Sequence, residues 1–183
     1  MKINAIGALC KKAKEIRVYN EEGRQRIGTS AAVYLMPESI GPFSESGFYC
    51  MLDIQPGKAA EFNYTESDFP EGYDGGDDAE EEELSYDSDF RCMLNAKDLL
   101  PCATAKGEVY MIQYKYLKPV SDSENLRLTL RIDSEFPYIA VKDGMFLTAL
   151  IMPVIVREKD INMLRGLAAG IEQAGLKGDA YVL

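Results

Sequence analysis

The chain of 183 residues has no histidine and only four cysteines, and these shortages exclude much of enzyme chemistry. Without histidine, neither a Ser-His nor a Cys-His nucleophile pair can form. The cysteines show no CxxC spacing, so a zinc site is not expected. No glycine-rich loop ends in the Gly-Lys-Ser/Thr that would hold a nucleotide phosphate. The sequence therefore predicts a protein that is not an enzyme and that needs neither a cofactor nor a metal.

Long apolar runs are also missing. No window approaches the roughly 20 consecutive apolar residues of a membrane span, so no contact with a membrane is predicted. The N-terminal stretch superficially resembles a lipoprotein signal, but its apolar run is too short and two lysines follow Cys10 at once. We interpret this stretch as an amphipathic helix and expect the protein to be cytoplasmic.

Basic residues are absent from positions 59–90, which contain 13 Asp and Glu residues. The rest of the chain sets 20 Lys and Arg against 17 acids and has a net charge of +3. Such a composition favours a mobile, solvated insertion, which we place at about 66–89. Two other interpretations are an acidic segment for protein interaction or DNA mimicry and a metal site, although the EF-hand spacing of oxygen ligands is not present.

Two halves of the chain show the same order of predicted elements. Apolar residues at helical spacing predict a helix over 3–14, and three short strands are predicted at 15–19, 24–29 and 30–36. A second helix at 114–120 is followed by strands at 125–132, 137–141 and 145–152. Both halves therefore have the order helix–strand–strand–strand, which predicts an α+β domain.

The last two of these strands form the most distinctive stretch of the sequence. They are joined by Lys142-Asp143-Gly144, which is a strong hairpin signal between apolar runs. From Met145 to Val156 the only polar side chain is that of Thr148, so this strand should be covered on both faces. Pro153 cannot donate a ladder hydrogen bond, so the strand there should lie at an edge of the sheet, contain a bulge, or end.

The second half resembles the last domain of a bacterial DNA polymerase sliding clamp, a processivity factor. The likeness rests on Tyr116-Leu117 in a helix, the alternating strand from Leu126 to Ile132, Pro137-Tyr138-Ile139, and Ile151-Met152-Pro153-Val154. The resemblance implies a single DNA-clamp-like domain over residues 1–156. In such a domain two helix-plus-antiparallel-strands units form a continuous sheet, with the helices on one face.

The resemblance also implies a function in DNA replication. Clamp helices face double-stranded DNA and attract its phosphates without regard to sequence, through residues that here would be Lys11, Lys12, Lys14, Lys115 and Lys118. The Met-Pro segment of a clamp lines a groove for peptides of replication proteins, which here would be Met152, Pro153 and Val154. A clamp ring needs six such domains, so this chain would have to form a homo-oligomer.

Two alternatives stay open. In the first, the protein is a phage or mobile-element interaction module that keeps the fold without encircling DNA. In the second, it is an acidic DNA mimic. A last helix is predicted at 160–174, within a C-terminal helix and tail at 157–183, because Ile161, Leu164, Leu167, Ala168 and Ile171 form an apolar stripe. This extra helix could cover the groove.

Overall fold

The computed structural model describes residues 1–21, 23–37, 42–70, 73–77, 79–132 and 136–156. The predicted helix at 160–174 and the tail lie outside these residues. The helices are α1 (Ile3–Ala13) and α2 (Glu45–Met51), with two 3-10 helices, η1 (Pro56–Glu61) and η2 (Tyr114–Tyr116). The strands are β1 (Glu15–Glu21), β2 (Arg24–Thr29), β3 (Ala32–Leu35), β4 (Asn63–Asp68), β5 (Glu82–Glu83), β6 (Ser85–Tyr86), β7 (Cys92–Leu94), β8 (Lys97–Ala103), β9 (Val109–Gln113), β10 (Leu126–Arg131), β11 (Tyr138–Asp143) and β12 (Phe146–Ile151). The predicted α+β class is confirmed.

Eight strands form one large sheet in the order β4-β1-β2-β3-β12-β11-β10-β5. Strands β1, β2 and β3 form one antiparallel meander, and β10, β11 and β12 form another. Antiparallel pairing of β3 with β12 joins the two meanders. β4 adds in parallel to β1 at one edge, and β5 adds to β10 at the other. The doubled order of strands that the sequence predicts is therefore present.

The predicted hairpin forms from β11 and β12. A bulge at Thr148 shifts the register, which places Leu147 and Leu150 on the same face of the sheet. Ala149 and Ile151 lie on the opposite face, in the main core. Leu147 and the residues from Ala149 to Ile151 are therefore buried on both faces, as the apolar sequence predicts, whereas Phe146 at the start of the strand is 72% exposed. The strand ends two residues before the proline. It lies in the middle of the sheet, however, and not at an edge.

One face of the large sheet, here called the inner face, carries the main hydrophobic core. Helix α1 contributes Ile6 and Cys10, and α2 contributes Phe48, all without measurable exposure. A small second sheet packs on the same side, with β6 and β7 along one edge of β8 and β9 along the other. Its buried residues in the shared core include Leu100 and Ile112.

The second predicted helix, at 114–120, is wrong in extent. Only the 3-10 turn η2 forms, and turns follow it. Pro119 has no N–H to donate and disfavours helical backbone at the residue before it, so the helix cannot propagate. The carbonyl of Pro119 instead accepts a hydrogen bond of 2.6 Å from the backbone N–H of Lys2. The inner face thus carries α1 and the short α2, but no α-helix forms over 114–120, where the resemblance implies one.

The opposite face, here called the outer face, is covered by the acidic segment. We name its described residues 73–77 and 79–83 the acidic strap. The strap ends in β5, which pairs with β10, and its Gly75 is buried. Parts of this segment are exposed, as expected of a solvated loop, but its residues 74–77 and Glu81 also bind buried cations of the sheet, which the sequence does not predict.

The turn between β7 and β8 contains a conformational strain that a glycine would relieve. Asn95 and Ala96 form this two-residue connection with φ angles of 51° and 59°. The left-handed conformation costs alanine about 1–2 kcal/mol, and glycine nothing comparable. We expect Ala96→Gly to raise the free energy of unfolding by about 1 kcal/mol, since glycine's greater freedom in the unfolded chain offsets part of the gain. Urea titration measures the difference.

The matched control is Ala105→Gly, which makes the same substitution in an exposed turn where φ is not positive. It should leave stability unchanged or lower it by up to about 1 kcal/mol. An Ala96→Gly variant no more stable than the wild type would contradict the assigned turn.

Candidate functional site

Three cationic side chains are buried on the outer face of the large sheet. They are Arg26 on β2, Arg131 on β10 and Lys142 on β11, and their side chains are 1%, 0% and 7% exposed. A buried charge is costly unless it is paired and hydrogen-bonded. The rest of this face must therefore supply acceptors, and the acidic strap does so.

Glu81 of the strap neutralises two of these cations at once. Its Oε2 accepts hydrogen bonds from Nε and Nη2 of Arg131, at 3.1 and 2.9 Å, and from the hydroxyl of Thr129 at 3.0 Å. Its Oε1 accepts one of 2.9 Å from Nζ of Lys142. One carboxylate therefore bridges β10 and β11 and fixes the strap to both.

Four successive backbone carbonyls of the strap, at 74–77, also accept hydrogen bonds from the cations. Arg131 donates to two of them, at 2.8 and 2.9 Å, Lys142 to a third at 2.9 Å, and Arg26 to that of Gly75 at 2.6 Å. A Cβ on Gly75 would lie 2.3 Å from Nη2 of Arg26, so this position has room only for glycine. The strap is therefore shaped around the guanidinium groups.

The cations also set the ionisation of Glu81. Burial alone would raise the pKa of this carboxyl, and it is the largest single effect. Hydrogen bonds from Lys142, Arg131 and Thr129 together outweigh burial, so the pKa of Glu81 lies below its ordinary value of 4.5. The carboxylate is thus charged at neutral pH and holds the strap in place.

A groove of about 210 Å³ lies on the outer face beside the strap. Its walls are mostly aromatic and aliphatic, and the strap side of the groove is fixed by Tyr73, whose ring packs on that of Tyr138 at 5.0 Å. The hydroxyl oxygen of Tyr138 accepts a hydrogen bond of 2.9 Å from the backbone N–H of Asp74. The lining residues are Arg17, Tyr19, Thr29, Ser30, Ala32, Val33, Phe69, Pro70, Tyr73, Tyr138, Leu150 and Met152.

One cation lines this otherwise apolar groove. Nε of Arg17 donates to Oε1 of Glu15 at 2.8 Å, and its Nη1 donates to the hydroxyl of Tyr19 at 3.4 Å. The other oxygen of Glu15 accepts from the N–H and the hydroxyl of Ser30, at 2.9 and 3.0 Å. Glu15 is thus fully engaged and holds Arg17, whose side chain is 38% exposed, in a defined position.

The three predicted groove residues lie in different surroundings. Met152 lines the groove, and its N–H donates to the carbonyl of Ala31 at 2.9 Å. Val154 faces the small sheet, where its N–H donates to the carbonyl of Met111 at 2.6 Å, and Pro153 lies between the two. The structure thus brings one of the three to the groove, and their role in binding a peptide stays a prediction.

The five predicted DNA-binding lysines fall into two groups at opposite ends of α1, which has 11 residues and is about 16 Å long. Lys11 and Lys14 are paired with Asp53 at 3.5 Å and Glu61 at 2.6 Å. Lys12 is exposed, and its side chain makes no hydrogen bond or ion pair with the described residues. Lys115 and Lys118 lie over tyrosine rings in and beside η2, with Nζ at 4.6 and 5.9 Å from the ring centres.

The sequence did not single out the cations of the outer face or their acidic partner. Arg131 occupies a polar position of a strand in which apolar and polar residues alternate. The polar residues of such a strand normally face solvent. The one available signal was Lys142, which follows the apolar run 138–141 directly and precedes an Asp-Gly turn. A lone lysine there does not identify a partner more than 60 residues away.

No known protein family, curated protein or solved structure matches this chain. Among the described residues, no helix is both long and apolar enough to cross a membrane. Nor does this part of the chain contain a group of three or more residues that could hold a metal ion. The four cysteines are free, and burial raises the pKa of Cys10 and Cys102 to about 12. Function must therefore be argued from the surfaces of the molecule itself.

Removing the charge of Glu81 should destabilise the fold strongly. Glu81→Gln leaves Arg131 and Lys142 buried without a counter-charge, and removing one partner of a buried ion pair costs about 3 kcal/mol or more. The free energy of unfolding, measured by urea titration at pH 7, should fall by that amount. Glu83→Gln is the control, because its salt bridge to Arg127 at 3.3 Å is exposed, and a change of at most about 0.5 kcal/mol is expected.

The pH dependence gives the same interaction a second signature. A carboxyl whose pKa is lowered by folding contributes stability that is complete above its unfolded pKa, here 4.5, and is lost as pH falls through the lower folded value. The stability difference between wild type and Glu81→Gln should therefore be constant near neutral pH and shrink below 4.5. Equal stability of both proteins at pH 7 would contradict the role of Glu81.

Proposed function

We propose that the protein is a non-enzymatic, clamp-like accessory protein of DNA replication whose working surface is the groove beside Met152. A hydrophobic segment of a partner protein is held there. The observation that carries this proposal is the open apolar cavity on the outer face, lined by Phe69, Tyr73, Tyr138 and Met152. The link to replication rests on the resemblance of the second half to a clamp domain.

The size of the groove suits a peptide side chain better than a cofactor. Pockets for small molecules have volumes of about 300–1,000 Å³, and this groove has about 210 Å³. That space equals the volume of about seven water molecules, at roughly 30 Å³ each. A single large apolar side chain fills such a space, and one anchor in a desolvated pocket commonly supplies most of the energy of a peptide contact.

The charge of the groove indicates a second feature of the partner. Arg17 is held by Glu15 and Tyr19 at the groove, and its Nη2 makes no hydrogen bond to the described residues. An ordered guanidinium group binds carboxylates well, because charge-assisted hydrogen bonds are stronger than neutral ones. The partner segment should therefore carry an acidic residue next to its apolar anchor.

The groove is organised before a partner arrives. Tyr73 belongs to the strap, which Glu81 ties to the sheet, and the ring of Phe69 packs against Arg26 at 4.8 Å and against Tyr19 at 5.8 Å. A wall that is fixed in advance lowers the entropy that binding costs. This arrangement also serves the alternative in which a phage or mobile-element module keeps the fold without encircling DNA, because capture of a peptide needs no ring.

Peptide selection tests the groove directly. Random short peptides displayed on phage are selected on the wild-type protein, with prior subtraction on Met152→Glu. We expect enrichment of peptides with one large apolar residue beside Asp or Glu. Fluorescence anisotropy should show that Met152→Glu weakens their binding by about thirtyfold, or ~2 kcal/mol, as for other central anchors.

Met145→Glu is the matched control, because Met145 is 74% exposed in the β11–β12 turn and does not line the groove. It should bind the selected peptides like the wild type. Arg17→Gln should keep the apolar preference and lose the acidic one. Peptides that bind all variants equally, or selection that yields no common anchor, would reject the groove as the working surface.

Contact with double-stranded DNA is a second candidate, supported by one observation. Lys12 lies exposed on α1 with no partner among the described residues. The support is weaker than for the groove, because Lys11 and Lys14 are already paired with Asp53 and Glu61. Like the groove, this contact would serve a clamp-like accessory protein.

If the lysines bind phosphate, retention of short duplex DNA in low salt should be weakened by Lys12→Glu combined with Lys118→Glu. The slope of log affinity against log salt should decrease by about 2, one for each lost phosphate contact. Lys97→Glu with Lys106→Glu, two exposed lysines of the small sheet, is the control of equal charge. Absence of retention in the wild type would reject this candidate.

A further inference from the structure

The edge strand β4 has unpaired backbone groups on its outer side. The N–H groups of Asn63 and Phe69 donate to β1 or its flanking residue, at 2.9 and 3.1 Å. Parallel pairing directs alternate residues to the same neighbour, so the N–H and C=O groups of Tyr64, Glu66 and Asp68 point away from β1. None of these groups has a hydrogen-bond partner among the described residues. The edge can therefore accept another strand.

Aromatic rings lie beside this edge on the inner face. Tyr64 and Glu66 are in register with the buried residues Ile16 and Val18, so their side chains share the inner face. The ring of Tyr49, on α2, packs 6.0 Å from that of Tyr64. The edge strand thus adjoins a half-buried aromatic surface.

Carboxylates are fixed around these rings. The hydroxyls of Tyr64 and Tyr49 donate to Glu66 and Glu45, each at 2.9 Å. Asn20 donates to the other oxygen of Glu66, also at 2.9 Å. The hydrogen bonds from Asn20 and Tyr64 lower the pKa of Glu66, so this carboxylate stays ionised near neutral pH. Aromatic faces and ionised carboxylates are together the surroundings that bind a lysine or arginine side chain.

The molecule already holds one cation in this way. Nζ of Lys14 lies 4.9 Å from the ring centre of Phe62, directly before β4, and pairs with Glu61 at 2.6 Å. The second ring of the row, Tyr49, lies 6.4 Å from Phe62 and has its own carboxylate in Glu45. Tyr49 thus combines an aromatic ring with a carboxylate, as Phe62 does. Among the described residues, no lysine or arginine lies over its ring.

A second copy of the chain is a poor partner for this edge. In the two-fold antiparallel register centred on the outward residues, Glu66 would face Glu66 of the other copy. Like charges placed directly opposite each other destabilise strand pairing. Acidic residues on an edge also protect against self-association in general. The negative charge of β4 thus disfavours pairing with a second copy of β4 and favours pairing with a basic strand.

We propose that β4 binds an extended, basic segment of a partner protein, which adds to the large sheet as a further strand. Backbone hydrogen bonds to Tyr64, Glu66 and Asp68 give the affinity, and lysine or arginine side chains lie over Tyr49 and Tyr64 beside Glu45 and Glu66. This surface is separate from the groove on the outer face and does not depend on it.

Amide hydrogen exchange with a named probe tests the proposal. The probe is a short synthetic peptide in which lysine and valine alternate, and the comparison peptide has glutamate in place of lysine. We expect the lysine peptide to slow exchange of the amides of Tyr64, Glu66 and Asp68 by about tenfold or more, and the glutamate peptide to have no effect. Protection elsewhere, for example only on the strap, would overturn the proposal.

Charge variants separate a specific site from general attraction to an acidic protein. Glu66→Lys should weaken binding of the lysine peptide by about tenfold. Glu124→Lys, an exposed residue with the same change of charge in the connection before β10, should weaken it by less than about twofold.

Equal effects of the two variants would reject the site, and so would sedimentation evidence that copies of the free protein associate through β4. An amide spectrum of each variant shows whether it is folded. Where Glu66→Lys fails to fold, Tyr49→Leu replaces it, because it removes the cation–π face and the hydroxyl. Groove variants such as Met152→Glu are measured with the same probe, so failure at the groove and failure at the edge are told apart.

Discussion

The bridge from Glu81 to Arg131 and Lys142 is the interaction on which the outer half of this molecule depends. Arg131 and Lys142 lie on the neighbouring strands β10 and β11 with almost no exposure to water. Two such charges would be strongly destabilising on a sheet face without acceptors. An acidic chain of low hydrophobicity cannot order itself by apolar burial. The cations order the strap, and the strap supplies the acceptors that stabilise the buried cations. The strap also covers the apolar side chains of Tyr138 and Leu147.

The same interaction creates the groove. Because the strap is held at Glu81 and by its successive carbonyls, Tyr73 at its start forms a wall of the groove together with Phe69. The floor comes from β3 and β12, the pair that joins the two meanders, so the groove lies over the centre of the doubled strand order. Coupling between strap and groove is thus direct: any change that loosens Glu81 also changes the shape of a wall that a partner would contact.

Much of the sheet could be predicted from sequence, and the strap could not. Helix α1, strand β2 and the β11–β12 hairpin follow from local periodicity and turn chemistry, which act over a few residues. The second helix is shorter than its local pattern predicts, because Pro119 stops helix propagation in an otherwise helical stretch. The strap has the composition of a disordered loop, and its order comes from cations 49 to 65 positions away in the chain. Local sequence carries no information about such a partner, so the groove wall was missed with it.

The groove and the β4 edge differ in the forces that would act on a partner. The net charge of −10 would therefore affect binding differently at each. The proposed binding at the groove would rest on apolar burial with one cation, so its occupancy should depend little on salt. The β4 edge carries Glu66 and Asp68 and attracts basic segments through a field that salt screens. DNA would have to approach the inner face, where Asp53 and Glu61 already satisfy Lys11 and Lys14. The charges of the described residues would therefore suit the protein partners proposed for both surfaces better than a polyanion.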